Sequence, residues 1–427
     1  MKKYLVFAMA SILALSACGK KTDENKGDDA KANAEAAAEA PADAAKTAFA
    51  DAKDVEKAEA RKLIDGVELT RDGLNSILKE DGAMSPLEYE AILLARTRCK
   101  YNETEKTYDK ECPVDEVEDL GGFVRRRTID DEARHEVLSR LSKHPDRGAR
   151  SAAIAQLLEF ASNTKEDKRE PLVTEALGYL KAEKDPIVLA SALNKAGFSN
   201  SVRSFRDWRR TMMEHPESIV RRNTVTPIFN FIDDNDEKQA TLKLFYKLLD
   251  DSDNDTASYA CSNIGSAYDT AAVKVISDHI MGSEDRLDKE CFRALVDMWG
   301  AFILSDENKE AAKAAYDATI NYLKITPRND KKPNAFTLDL SMLPNREKIE
   351  EFKSERPFVN VQDFIAPLTD IVNDKDVSWF AKASAVKTLG NYGGVDALKA
   401  VESAVNASSE EALKGAFSEA MKNAGAK

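Results

Sequence analysis

The chain has 427 residues, of which 43% are hydrophobic and only 7% aromatic, and its formal net charge is −13. An acidic chain lacks the basic footprint of a general nucleic-acid-binding protein, so the charge disfavours nucleic acid as a partner. The length is enough for two ordinary domains or for one elongated array, and the abundance of alanine, leucine and charged residues favours helices.

The N-terminus has the three-part order of an export signal. Lys2 and Lys3 precede an apolar run at 4–15, and the small residues Ser16 and Ala17 follow it. This run is shorter than the ~20 residues that span a bilayer. We therefore expect residues 1–17 to be a signal peptide that is removed, not a membrane helix.

The residues at the predicted cleavage site, Leu15-Ser16-Ala17-Cys18, resemble the lipobox of bacterial lipoproteins: leucine, two small residues and cysteine. The resemblance covers only the start of the chain. It implies that Cys18 carries lipid and that this lipid holds the chain at a membrane. An aspartate after the cysteine retains enterobacterial lipoproteins in the inner membrane, but Gly19 stands there, which implies the periplasmic face of the outer membrane or surface exposure. An ordinary secretory signal with a chance cysteine is the alternative.

A low-complexity segment, 18–53, follows the signal. It consists mostly of alanine, glutamate, aspartate and lysine, and such a composition cannot bury enough apolar area to fold. We expect a flexible tether with an r.m.s. reach of roughly 30–35 Å. Without the signal the chain carries 60 lysines and arginines against 75 aspartates and glutamates, a formal charge of −15.

Helical periodicity begins at about residue 54. The run Ser85-Pro86-Leu87-Glu88 predicts a helix start, with serine as the N-cap, proline at the first helical position and a glutamate that completes a capping box. The run 128–131 predicts another start. These helices form an N-terminal helical region, 54–143, ahead of a repeat region, 144–427.

A pattern recurs through the repeat region. The pattern starts with a polar turn, often His-Pro or Asp-Pro. An apolar residue comes next, in some repeats followed directly by arginine, and then a small residue at the centre of the helix. Examples are 144–157, 185–197 and 215–228. The small residue returns every 32–39 residues until one longer final step. Its positions are Ala153, Ala192, Thr224, Ala260, Ala294 and Ala385.

This pattern resembles the HEAT-repeat family, whose first helix reads roughly Asp-Pro, Val-Arg, Ala, Ala-Leu. The resemblance implies an all-α fold, an α-solenoid in which helical hairpins of ~30–45 residues stack into a superhelix. An irregular helical bundle with coincidental turns is the alternative. Prolines interrupt the repeat pattern in the segment at about 326–358. This predicts a long irregular loop with one short helix at 346–352.

Four cysteines remain after Cys18. Cys99 and Cys112 flank a short polar stretch between two predicted helices, while Cys261 and Cys291 lie in neighbouring repeats. Export to an oxidising compartment permits disulfides, so each pair is a candidate bridge. Separate buried thiols are the alternative for the second pair. The chain has no CxxC motif, which disfavours a redox site and a zinc knuckle.

Motifs that carry chemistry are scarce. The acidic cluster 250–255 fails the EF-hand spacing and is predicted to be a solvated turn. The histidines have no catalytic or metal-ligand spacing, and two of them precede proline as turn residues. We therefore predict no enzymatic activity, no metal and no small-molecule cofactor. The histidines are His135, His144, His215 and His279.

One basic feature stands against the acidic background. Six arginines cluster along the chain around Trp208, and arginine binds carboxylate and phosphate groups through two hydrogen bonds at once. They are a candidate patch for an anionic partner. The alternative is a ladder of arginines that pair with the aspartates of neighbouring turns. The six residues are Arg203, Arg206, Arg209, Arg210, Arg221 and Arg222.

These features together predict a lipid-anchored HEAT-like scaffold that binds another protein at the bacterial cell envelope. A glycan- or peptidoglycan-binding protein and a purely structural spacer are alternatives. Clustered exposed aromatic residues would favour the glycan interpretation, but the sequence shows isolated ones such as Trp208, Trp299 and Trp379. Some HEAT-like proteins resemble bilin lyases, and an enzyme of that kind is less favoured because no matching active-site signature is present.

Overall fold

The computed structural model of the chain describes residues 55–79, 82–102, 104, 107–108, 127–226, 235–282, 287–301, 304–325 and 340–425. Helices dominate these residues. A two-residue antiparallel ribbon pairs β1 (Tyr101–Asn102) with β2 (Thr107–Tyr108). Within the described ranges, no helix has the length and apolar character needed to cross a membrane. The predicted signal, Cys18 and the predicted tether lie outside the described residues.

The N-terminal helical region contains the capping box that the sequence predicts at the start of its third helix. Ser85 Oγ accepts the N–H of Glu88, and the Glu88 carboxylate accepts the N–H of Ser85 at 2.7 Å. The second predicted start is capped by Asp130. In this region α1 packs on α3, and α3 on α4. The helices are α1 (Ala58–Ile64), α2 (Arg71–Asn75), α3 (Pro86–Leu94) and α4 (Asp131–Leu141).

Two rows of helices follow, as a solenoid requires. The first helices of successive hairpins pack side by side, each against the next, and the second helices lie beside them. The first row is α5 (Arg147–Asn163), α7 (Pro186–Asn194), α9 (Ser218–Val225), α11 (Asn254–Ser266) and α13 (Asp288–Gly300). The second row is α6 (Glu166–Ala182), α8 (Arg203–Met212), α10 (Asn235–Leu248), α12 (Thr270–Gly282) and α14 (Lys309–Ile325). The predicted all-α stack of helical hairpins is confirmed.

The small residue at the centre of each first helix is buried, as the repeat pattern predicts. The reason is visible between α11 and α13, where Gly265 faces Ala294. A Cβ added at position 265 would lie 2.9 Å from the Cβ of Ala294 and 3.1 Å from its carbonyl oxygen. First helices can therefore approach this closely only because both positions are small.

The segment after α14 differs from the predicted irregular loop. From Leu340 onward it packs into the stack, and Leu340, Leu343 and Ile349 are buried. Pro344 lies against the end of α13, where its Cγ would be 3.1 Å from a Cβ at Gly300. The short helix predicted at 346–352 is present as α15 (Arg346–Phe352). The described part of this segment is therefore core structure.

The C-terminal helices complete the stack. Helix α17 packs against both α16 and α19, and it breaks at Gly394, where φ is 64° and only glycine is unstrained. These helices are α16 (Gln362–Asn373), α17 (Trp379–Lys399), α18 (Glu402–Ala407) and α19 (Glu411–Gly425).

We predict that Gly265→Ala destabilises the protein by about 1–3 kcal/mol, because the new methyl group overpacks the contact with Ala294. Gly178→Ala is the matched control: Gly178 is an exposed glycine inside α6, and a Cβ there meets no described atom within 4 Å. The control should stabilise by about 0.5–1 kcal/mol through helix propensity alone. Urea unfolding followed by circular dichroism measures both. Equal effects of the two substitutions would contradict the close approach of the first helices.

Candidate interaction surface

The predicted arginine patch is largely a network of contacts within the chain. Arg150, at the start of α5, makes the same set of bonds as two of the six arginines. Its Nη1 donates to the carbonyls of His144 and Pro145 at 2.9 and 2.8 Å, and its Nε donates to Glu183 at 2.7 Å. One guanidinium thus ties the turn before its own helix to the turn before the next first helix.

Arg221 repeats this arrangement on α9. Its Nη1 donates to the carbonyls of His215 and Pro216, both at 2.8 Å, and its Nε and Nη2 donate to Asp251 at 2.7 and 2.9 Å. The three residues that share this pattern donate to the carbonyls six and five positions before them and to a carboxylate 30–33 positions ahead. We call them the arginine staples, and they are Arg150, Arg206 and Arg221.

The other arginines of the predicted patch also contact groups of the chain. Arg206 makes its bonds in the second row. Its Nη1 donates to the carbonyls of Asn200 and Ser201, at the end of the short 3-10 helix before α8, and its Nε donates to Glu237 on α10 at 2.9 Å. Arg210 pairs with Glu237 and Asp207, and Arg222 pairs with Asp253 and Asp255. Arg209 is fully buried and donates to the carbonyl of Thr224, and burial lowers its pKa to about 9.

These contacts match the alternative to a binding patch, which is a ladder of arginines that pair with carboxylates and carbonyls of neighbouring turns. An external anion would have to displace them. Arg203 differs, because its side chain is exposed on the first turn of α8. Beyond Arg203, this geometry therefore gives no support to the patch as a binding site for an anionic partner.

The histidines that precede proline serve as turn residues. Nδ1 of His144 accepts the N–H of Asp146 at 3.0 Å, and Nδ1 of His215 accepts the N–H of Glu217 at 3.1 Å. Burial lowers the pKa of His215, so the neutral ring that can accept this bond is favoured. In the turn before α7, a carboxylate takes the role that the histidine ring has in the other two turns: Glu183 accepts the N–H of Asp185 at 2.8 Å.

The acidic cluster 250–255 is a turn of the same kind. Asp251 accepts the N–H of Asp253 at 2.8 Å, and Asp253 caps α11 by accepting the N–H of Thr256 at 2.8 Å. Burial alone would raise the pKa of Asp253, but hydrogen bonds from Arg222 and Thr256 outweigh it and lower the pKa to about 2. Across the described ranges, no three His, Cys, Asp or Glu side chains are grouped to hold a metal ion.

One of the two predicted disulfides lies within the described residues. Cys261 and Cys291 are bonded, with 5.0 Å between their Cα atoms, and both are fully buried. The bond joins α11 to α13, at a step of the first row next to the Arg221 staple. Cys99 is disulfide-bonded. Cys112 lies outside the described residues, so a bond between these two stays a prediction.

A groove runs along one face of α17. Its wider part encloses about 450 Å³ between α17 and the segment around Pro344, and a second depression of about 150 Å³ continues toward α19. Lys387 and Asn391 line both parts, so the two parts adjoin at these residues. Its lining is polar and apolar in similar measure. We call this the α17 groove.

Two aromatic side chains stand at the N-terminal end of α17. Trp379 is 43% exposed and Phe380 is 48% exposed, and their ring centroids lie 5.9 Å apart with the planes at 83°. Phe380 lies one turn before Ser384, which lines the groove. Trp208 and Trp299 are buried, so Trp379 is the tryptophan that solvent reaches. The sequence indicated isolated aromatics and did not identify this pair, because exposure depends on which neighbouring elements cover the two side chains.

Comparison with known proteins leaves the family open. No protein-family model matches the chain, and no curated protein matches it. Two crystal structures of engineered proteins are similar to it in part. One is 15% identical and covers 86% of this chain and 92% of its own length, with a TM-score of 0.31. The other is 14% identical and covers 70% of this chain and 98% of its own length, with a TM-score of 0.18.

We predict that Asp253 contributes to stability at neutral pH and loses that contribution in acid. Its folded pKa of about 2 lies below the ~3.9 of an unfolded aspartate. The contribution is therefore complete above pH ~4 and disappears as the pH falls through about 2. Asp253→Asn keeps the helix cap but loses the charge, and it should cost about 1 kcal/mol at pH 7, since Arg222 is 40% exposed and solvent screens the pair.

Urea unfolding of both proteins between pH 7 and pH 2 measures this difference. The difference in the free energy of unfolding between wild type and Asp253→Asn should shrink as the pH falls. Asp278→Asn is the control, because Asp278 and its partner Lys274 are both well exposed. A gap for Asp253→Asn that stays constant down to pH 2 would contradict the assignment.

Proposed function

We propose that this chain is a lipid-anchored scaffold of the bacterial cell envelope whose solenoid binds another protein. The observation that carries the binding part is the exposed pair Trp379 and Phe380 beside the α17 groove. Large aromatic side chains anchor protein interfaces because they bury much apolar area with few rotatable bonds. An exposed aromatic pair beside a groove of mixed polar and apolar lining is a surface suited to a protein partner.

The anchoring part rests on the sequence. The run Leu15-Ser16-Ala17-Cys18 has the form of a lipobox, and the low-complexity run to residue 53 has the composition of a flexible tether. A lipid at Cys18 would hold the binding surface near the membrane and let it search a volume set by the tether. Gly19 supports the outer membrane as the site of attachment.

A glycan-binding role is the second candidate, and one observation favours it. Trp379 is exposed on the helix whose Ser384 and Asn391 line the groove with hydroxyl and amide groups, and sugars bind to aromatic faces and to such polar groups. We rank it second because the two rings meet at 83° and do not form a flat platform.

The anchor is tested by fractionating cells that express wild type, Cys18→Ser, Gly19→Ala and Gly19→Asp. Wild type and Gly19→Ala should sediment with outer membranes, because both keep the cysteine and a neutral residue after it. Cys18→Ser should appear in the soluble fraction, and Gly19→Asp should move to inner membranes. If Cys18→Ser remains fully membrane-bound, the lipid-anchor proposal is wrong.

The scaffold role is tested in the same cells with a photo-crosslinking amino acid placed singly at three exposed positions on different helices: Phe380 on α17, Tyr259 on α11 and Gly178 on α6. A protein-binding solenoid should give a crosslinked adduct with another envelope protein from at least one position. Membrane-attached protein that yields no adduct from any of the three positions would contradict the role.

A further inference from the structure

We propose that the α17 groove binds an extended segment of the partner protein. A bulky apolar side chain of that segment sits in the corner between Trp379 and Phe380, and its backbone carbonyls accept hydrogen bonds from the groove. This inference rests on the proposed scaffold function and adds to it a location on the molecule and a class of ligand.

The floor of the groove presents hydrogen-bond donors. Ser384 Oγ accepts the N–H of Leu340 at 2.8 Å, and Asn391 Oδ1 accepts the N–H of Arg346 at 2.9 Å. These bonds use acceptor oxygens, which leaves the hydroxyl hydrogen of Ser384 and the amide nitrogen of Asn391 to donate. Lys387 adds an ammonium group between them. A ligand rich in acceptors, such as a peptide backbone, complements this floor.

The spacing of the donors also suits an extended peptide. Ser384, Lys387 and Asn391 are three and four residues apart, so they share one face of α17 at intervals of about 4.5 and 6 Å. An extended chain presents a carbonyl on the same edge every second residue, about 6.6–6.8 Å apart. Side chains of this length cover the small difference, so successive carbonyls on one edge can each meet a donor.

The aromatic pair selects the side chain. Rings inclined at 83° form a corner, and a corner encloses a leucine, methionine or phenylalanine side chain on two sides. A sugar ring instead needs one flat face. The charge of the floor is nearly balanced, because Lys387 lies 3.5 Å from Glu419. The segment that fits is therefore apolar at one position and carries no dense charge.

The test uses the full chain, purified in detergent, and a library of random linear peptides displayed on phage. Peptides that survive selection should share one bulky apolar position. Their binding is followed by the fluorescence of Trp379, which is the exposed tryptophan, and the emission should shift to the blue when a peptide covers it. Soluble peptidoglycan fragments form the glycan arm of the same measurement.

Three variants locate the site. The double change Trp379→Ala and Phe380→Ala should weaken peptide binding about tenfold or more, measured by anisotropy of labelled peptide. Asn391→Asp keeps an oxygen that can accept the N–H of Arg346, but it replaces the donating amide nitrogen with a carboxylate oxygen. It should weaken peptide binding about threefold to tenfold. Tyr259→Ala removes an exposed aromatic of α11 and should leave binding unchanged. Circular dichroism confirms that each variant is folded.

The proposal is overturned if selected peptides bind the double variant as well as wild type, or if selection enriches no peptide. It is also overturned if peptidoglycan fragments, and not peptides, shift the Trp379 emission, or if the pair instead holds two copies of the chain together in sedimentation. Failure here remains distinct from failure of the scaffold role. Crosslinks at Tyr259 or Gly178 with none at Phe380 would retain the scaffold and move its binding site elsewhere.

Discussion

The architecture depends on salt bridges between successive repeats, which are the ties that hold each repeat to the next. A helical hairpin cannot bury its own apolar face, so the stack is stable only if neighbours hold a fixed register. Arg150 and Glu183 supply this register where both side chains are almost completely buried, 1% and 0% exposed. Removing one member of such a pair leaves an uncompensated buried charge, which costs roughly 3–5 kcal/mol. The tie therefore makes other stacking registers costly.

The same tie organises the turns. Each staple also binds two carbonyls just before its own helix. In the first row its carboxylate partner shapes the next turn by accepting a backbone N–H, as Glu183 does for Asp185 and Asp251 does for Asp253. At other steps of the first row the chain uses other links. The Cys261–Cys291 disulfide joins α11 to α13, and an amide hydrogen bond of 3.1 Å joins Asn194 to Asn223 between α7 and α9. Each of these links holds a pair of first helices side by side.

Much of this fold follows from local rules, and the rest depends on distant contacts. The capping box at Ser85 and the His-Pro turns are set by neighbours within one helix or turn, so the sequence predicts them. The small residues are predicted by their recurrence along the repeats, although their burial depends on the neighbouring helix. The role of the arginines stayed open between a binding patch and a ladder, because their carboxylate partners lie about thirty residues away in sequence. The α17 groove was not predicted, since it exists only where the segment around Pro344 packs beside α17. The exposure of Trp379 and Phe380 likewise depends on which neighbours cover them.

The most direct test is a double-mutant cycle on the buried staple, with Arg150→Ala, Glu183→Ala and the double variant measured by urea unfolding. We predict that each single change is strongly destabilising and that the double change costs less than their sum, with a coupling of about 2 kcal/mol or more. The exposed pair Lys274 and Asp278 is the control, with a coupling below about 0.5 kcal/mol. A coupling between Arg150 and Glu183 no larger than that of the control would contradict the account.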